Sequence, residues 1–93
     1  MMNITVRFET QVKRAAGVSS KVIAAGHLET VAQVVRFLAE ESGDQLRGIL
    51  LNDAGEIRPT IVLFLDDDHV CAADECPLQD GAVLTIMSPI SGG

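Results

Sequence analysis

The residues best placed to do chemistry close the sequence: Ser88-Pro89-Ile90-Ser91-Gly92-Gly93. A terminal Gly-Gly pair arises by chance roughly once in two hundred chains at a background of ~7% glycine, so the pair alone says little. Its place directly after the last strand-like segment says more. Two residues without side chains can enter a channel too narrow for any Cβ, and they carry an unhindered carboxylate. Such a carboxylate can attack the α-phosphate of ATP, with Mg²⁺ offsetting the phosphate charge, to give an acyl-adenylate. AMP then leaves readily when a sulfur or nitrogen nucleophile attacks. The nucleotide site and the rest of the machinery would belong to a partner enzyme, so this chain itself holds no cofactor and no catalytic residue.

Other reactive side chains make weaker patterns. His69, Cys71, Asp74 and Cys76 match no common zinc spacing, and paired Cys-x-x-Cys units are absent, so no metal site is expected. Asp66-Asp67-Asp68 lacks the spaced ligands, glycine and closing glutamate of a calcium loop. Glycines 17, 26, 43 and 48 form no phosphate-binding fingerprint. No Ser/His/Asp or Cys/His arrangement has an interpretable context, which argues against an independent enzyme.

The elements that must carry the terminal segment follow from hydrophobic period. Ile4, Val6 and Phe8 alternate with Thr5, Arg7 and Glu9, which reads as a strand with one buried face. Gln11 to Gly17 suits a turn, and Ser19 to Ala25, with Val22 and Ile23, completes a hairpin. Val31, Val34, Val35 and Leu38 then recur at helical spacing across Thr30–Ser42. Thr30 is a good N-cap, Gln33 can complete a capping box, and Gly43 supplies a left-handed stop. Phe37 lies off the stripe centre, flanking the core or marking a contact surface. Ile49-Leu50-Leu51 is a short apolar patch before the turn sequence Asn52-Asp53-Ala54-Gly55. Thr60–Leu65, after Pro59, is a continuous apolar run and reads as a strand covered, or nearly covered, on both faces and ended by Asp66-Asp67-Asp68. Pro77–Gly81 is a turn, and Ala82–Met87 is the last strand.

Strand, strand, helix, strand and final strand predict an α+β fold: a mixed four- or five-stranded sheet with one main helix on one face. The first and last strands can pair in parallel at the centre once the helix provides the crossover. This is the β-grasp, or ubiquitin-like, architecture. Residues 1–87 form the domain in this reading, and 88–93 form a flexible C-terminal arm.

In this order, Arg14-Ala15-Ala16-Gly17, Thr30-Val31, Arg58–Leu65, Leu78–Ile86 and the closing Pro89-Ile90-Ser91-Gly92-Gly93 resemble the MoaD/ThiS family of ubiquitin-like sulfur carriers. The resemblance implies that Gly93 is adenylated by an E1-like adenylyltransferase using ATP and Mg²⁺, then converted to a thiocarboxylate. It implies that Gly92 gives access to the active site, with Ile90 and Ser91 matching the tail that lies along the activating enzyme. The implied partners are that enzyme, a sulfur-accepting biosynthetic enzyme and a sulfurtransferase. Many members carry Asn-Gly where this chain has Asp66-Asp67, and their ending after proline is one residue longer. A ubiquitin-like modifier joined to lysines uses the same adenylate, and a β-grasp interaction module with a chemically silent terminus is a third reading.

Composition bounds the partners. The chain has 93 residues, 47% hydrophobic and 22% charged, which fits one globular domain. Seven Lys and Arg against thirteen Asp and Glu give a net charge of −6, which disfavours nucleic acid and anionic membrane surfaces and favours basic protein partners. No apolar stretch reaches the ~18–20 residues of a membrane span. The segment Met1–Arg7 does not read as a secretory leader, so a cytoplasmic protein is expected, with Cys71 and Cys76 as reduced thiols.

Overall fold

The alternation of Ile4, Val6 and Phe8 becomes β1, Asn3–Glu9, with all three side chains buried to 1% exposure or less. A computed structural model describes residues 2–71 and 77–88. After β1 come α1 (Thr10–Ala16), β2 (Ser20–Ala24), α2 (Val31–Glu41), α3 (Asp44–Leu50), β3 (Val62–Leu65), β4 (Asp68–Val70) and β5 (Val83–Met87). The sheet has five strands in the order β2-β1-β5-β3-β4. The central pair, β1 and β5, is parallel, and the other pairings are antiparallel. This is the expected β-grasp, with the first and last strands side by side.

The main helix follows its sequence signals. Val31, Val34, Val35 and Leu38 are fully buried against the sheet residues Val6, Leu63, Leu84 and Ile86 of one core cluster. The capping box forms: Gln33 N–H donates to Thr30 Oγ1, and Gln33 Oε1 accepts from the Thr30 N–H. Phe37 is half-buried at the core margin, its ring edge-on to His27 at 5.5 Å between centroids.

Five local expectations are corrected. The Gln11–Gly17 turn is the helix α1, which buries only Val12 and is too short to show a stripe; Gly17 ends it in the left-handed conformation at φ 79°. The apolar patch at Ile49–Leu51 is the end of a second unexpected helix, α3, whose Leu46 and Leu50 lie one turn apart and buried. Gly43 directly follows Ser42, the C-cap of α2, but it does not take the left-handed helical conformation expected of it. With φ 90° and ψ 174°, Gly43 instead turns the chain between two helices through a region open essentially to glycine. The apolar run is not covered on both faces. Only Leu63 in β3 is buried, while Val62, Phe64 and Leu65 are half-buried. The aspartates that follow do not simply end the strand. Asp66 and Asp67 turn the chain into β4, with Leu65 opposite Asp68. Asp66 has φ 55°, a conformation that the short polar side chain of aspartate tolerates.

Candidate functional site

Strand β5 delivers the terminal segment, and the register shows where. In the parallel pair Thr5 lies opposite Val83, Arg7 opposite Thr85 and Glu9 opposite Met87. The next residue on each strand is therefore a neighbour of the other: Thr10, which opens α1, and Ser88. Thr10 Oγ1 lies 2.7 Å from the carbonyl oxygens of both Glu9 and Ser88, and it accepts the Ser88 N–H at 3.2 Å. A hydroxyl has one proton, so it donates to one carbonyl at a time while still accepting from Ser88. Both backbone polar groups of Ser88 thus lie within hydrogen-bond reach of one side chain, with the Glu9 carbonyl oxygen competing for its proton. Ser88 itself is 8% exposed, and its own hydroxyl is buried with no partner among the described residues.

Beside this junction is an open groove of about 660 Å³, lined by Glu9, Thr10, Lys13, Arg14, Gly17, Val18 and Ser19. Lys13 and Arg14 stand in the last turn of α1, where basic side chains suit the helix dipole. Arg7 and Glu9 form an exposed ion pair at 3.6 Å. The sheet face turned away from the helices carries Thr5, Arg7, Val62, Phe64, Val83, Thr85 and Met87. Alternation puts these residues opposite the buried Val6, Leu63, Leu84 and Ile86. Val22 of β2, 66% exposed, pairs with Thr5 on the same face.

Of the residues singled out in the sequence, Ile90, Ser91, Gly92 and Gly93 lie outside the described residues, as do Asp74 and Cys76. His69 sits on β4 with its ring 5.4 Å from that of Phe64, and Cys71 is exposed just beyond that strand. Among the described residues no three His, Cys, Asp or Glu side chains gather as a metal site would require. No helix among them is long and apolar enough to cross a membrane. Sequence reasoning missed Thr10 and Ser88. Their roles arise from the parallel register, and nothing in their residue types announces them.

The sequence pattern of the ThiS family matches residues 6–93. The chain belongs to that family. The match takes in the second half of β1, the core apart from Ile4, and the Gly92-Gly93 pair. Solved structures agree on the fold. SAMP1 from Haloferax volcanii is 18% identical, with 98% of this chain and 99% of that chain covered and a TM-score of 0.85. The HVO 2177 protein, also from Haloferax volcanii, is 29% identical over 99% of this chain and 87% of that chain, with a TM-score of 0.80. A complex of subunits 1 and 2 of the molybdopterin-converting factor from Helicobacter pylori 26695 includes a chain 22% identical. It covers 99% of this ThiS-family chain and 100% of that chain, with a TM-score of 0.65. No curated protein matches by sequence.

Proposed function

We propose that this ThiS-family protein is a sulfur carrier that acts as a co-substrate of partner enzymes. The observation that carries the reading is the family match, which runs from the central strand β1 to Gly93. The geometry at the end of β5 supports it, because the chain is anchored by its backbone at Ser88, immediately before the segment that would react. A carboxylate oxygen of Gly93 attacks the α-phosphorus of ATP on an E1-like adenylyltransferase, and Mg²⁺–pyrophosphate leaves. The terminal sulfur of a sulfurtransferase persulfide then attacks the acyl carbon and AMP leaves. A second thiol attacks the resulting acyl disulfide, forming a disulfide with the sulfurtransferase cysteine and releasing the thiocarboxylate. Its sulfur passes to a biosynthetic acceptor. The Helicobacter pylori complex, in which subunit 1 of molybdopterin-converting factor binds subunit 2, supports a dedicated acceptor of this kind.

Ile90, Ser91 and Gly92 would lie along the activating enzyme, with Gly92 passing where a Cβ could not. The second reading, a modifier joined to lysines through Gly93, draws on the similarity to small archaeal modifier protein 1 from Methanosarcina acetivorans. Intact-mass spectrometry of the protein from its own cells separates the two. One oxygen replaced by sulfur at Gly93 supports the carrier, and larger conjugates with a Gly-Gly remnant on lysine support the modifier. A free carboxylate alone, with an activating enzyme and sulfur source present, would overturn both. Deletion of Gly92 and Gly93 should abolish activation while leaving the melting temperature near that of the full chain.

A further inference from the structure

Among the described residues, two outside glycine have positive φ: Asp66 at 55° and Thr10 at 56°. Aspartate enters this region with help from its short polar side chain, whereas a β-branched residue pays a steric cost there. Glycine would fit position 10 without strain. What threonine supplies and glycine lacks is the hydroxyl, which accepts the Ser88 N–H and shares its one proton between the carbonyls of Ser88 and Glu9. The adjoining Ser88 buries a hydroxyl that has no partner among the described residues, a second local feature beside the strained Thr10. Two such features in contact, at the last described residue before the reactive segment, fit strain kept at a functional site.

We infer that Thr10 is a positioning residue for the reaction at Gly93, fixing the direction in which the chain leaves β5. The inference rests on the sulfur-carrier reading. Five residues separate Ser88 from the end of the chain. Fully extended they span at most about 17 Å, so a 30° change of direction at their root would displace the end by about 9 Å. The position and direction of the chain at Ser88 bound the volume within reach of Gly93. That volume sets the effective concentration of the Gly93 carboxylate in a partner's active site once the body has docked. The body surface governs docking and Thr10 governs delivery, so the two separate kinetically.

The test is ATP–pyrophosphate exchange by an E1-like adenylyltransferase of the same genome, with wild type, Thr10→Ser, Thr10→Ala, Thr10→Val and Thr10→Gly as the varied substrate. Loss of the hydroxyl should lower kcat by about 10- to 100-fold in the Ala, Val and Gly variants. KM for the carrier should stay at the wild-type value, and Thr10→Ser should restore kcat. Exchange of the Ser88 amide hydrogen should quicken in the three slow variants. Thr10→Gly, relieved of strain, should melt no lower than Thr10→Ala and yet react as slowly, which separates delivery from folding should the valine variant fail to fold. Wild-type kcat in the alanine and glycine variants, a loss confined to KM, or a slow Thr10→Ser protein would each overturn the role of Thr10 and leave the carrier reading intact. No exchange with the wild-type chain would overturn the carrier reading and this inference with it.

Discussion

Leu63 and Phe64 are adjacent in β3 and similarly apolar, yet they should differ sharply when truncated. Leu63 is 1% exposed and packs beneath the helices between Ile86 and Val70 of the flanking strands. Phe64 points to the open face, half-buried between Thr85 and His69, with only the tilted His69 ring as an aromatic neighbour. Leu63→Ala removes buried methyl groups and leaves a cavity the surrounding core cannot fill, costing about 2–5 kcal/mol. Against a total stability of about 5–14 kcal/mol for a chain of this size, that is a large fraction. Phe64→Ala loses about half the transfer free energy of a fully buried phenylalanine, or about 1–1.5 kcal/mol, and opens no enclosed cavity. Urea titrations followed by far-UV circular dichroism should show a common slope, about 1.3 kcal/mol/M at this size. At that slope the midpoint falls by about 1.5–4 M for Leu63→Ala and about 1 M for Phe64→Ala. Equal losses would refute the reasoning, because they would mean that the outer face of β3 is as fully covered as the inner one.

Three further outcomes follow from named contacts. In the capping box Gln33 Oε1 accepts from the Glu29 N–H at 2.6 Å and the Thr30 N–H at 3.3 Å, whereas Thr30 Oγ1 accepts from Gln33 at a long 3.4 Å. Gln33→Ala should therefore cost at least as much as Thr30→Ala, about 1 kcal/mol or about 4–8 °C in melting temperature by calorimetry. Gly43→Ala should destabilise by about 1–3 kcal/mol through its backbone conformation alone, since an added Cβ meets nothing within 4 Å. Ser88→Ala should leave the melting temperature unchanged or raise it, because the hydroxyl removed has no partner among the described residues. A drop of several degrees would show that the hydroxyl is satisfied in solution.

Elements with enough residues to repeat a period were legible in the sequence. The stripe of Val31, Val34, Val35 and Leu38 and the alternation of Ile4, Val6 and Phe8 predict α2 and β1 almost to the residue, since burial on one side leaves a record at each repeat. The seven-residue helices α1 and α3 leave none. The first buries Val12 alone, and the second carries Gly48, a poor helix former, in its interior. The apolar run at 60–65 misled for another reason. A half-buried sheet face accepts Val62 and Phe64 as readily as a covered one does, so hydrophobicity without alternation cannot tell how many layers lie above a strand. At the site, Gly92 and Gly93 stand out because they lack side chains. Thr10 does not, because its significance is a dihedral angle and a neighbour 78 positions away.

That neighbour is nevertheless a consequence of topology. When the last strand joins the first in parallel, both run toward the same end of the sheet. The residue leaving β5 must therefore emerge beside the residue leaving β1. An antiparallel pairing would have put the exit beside Met2 and Asn3, among backbone groups of the chain's beginning. In the parallel arrangement the exit meets the start of α1, where one side chain can reach across the ladder's end and come within hydrogen-bond reach of both the N–H and the C=O of Ser88. The crossover through α2 that permits the parallel pair thus also selects the β1–α1 junction as the place that can control the terminal segment. Any ThiS-family chain with this strand order meets the same geometry. What varies from chain to chain is whether the residue opening α1 carries a group able to hold the exit, and here that group is the hydroxyl of a threonine held at φ 56°.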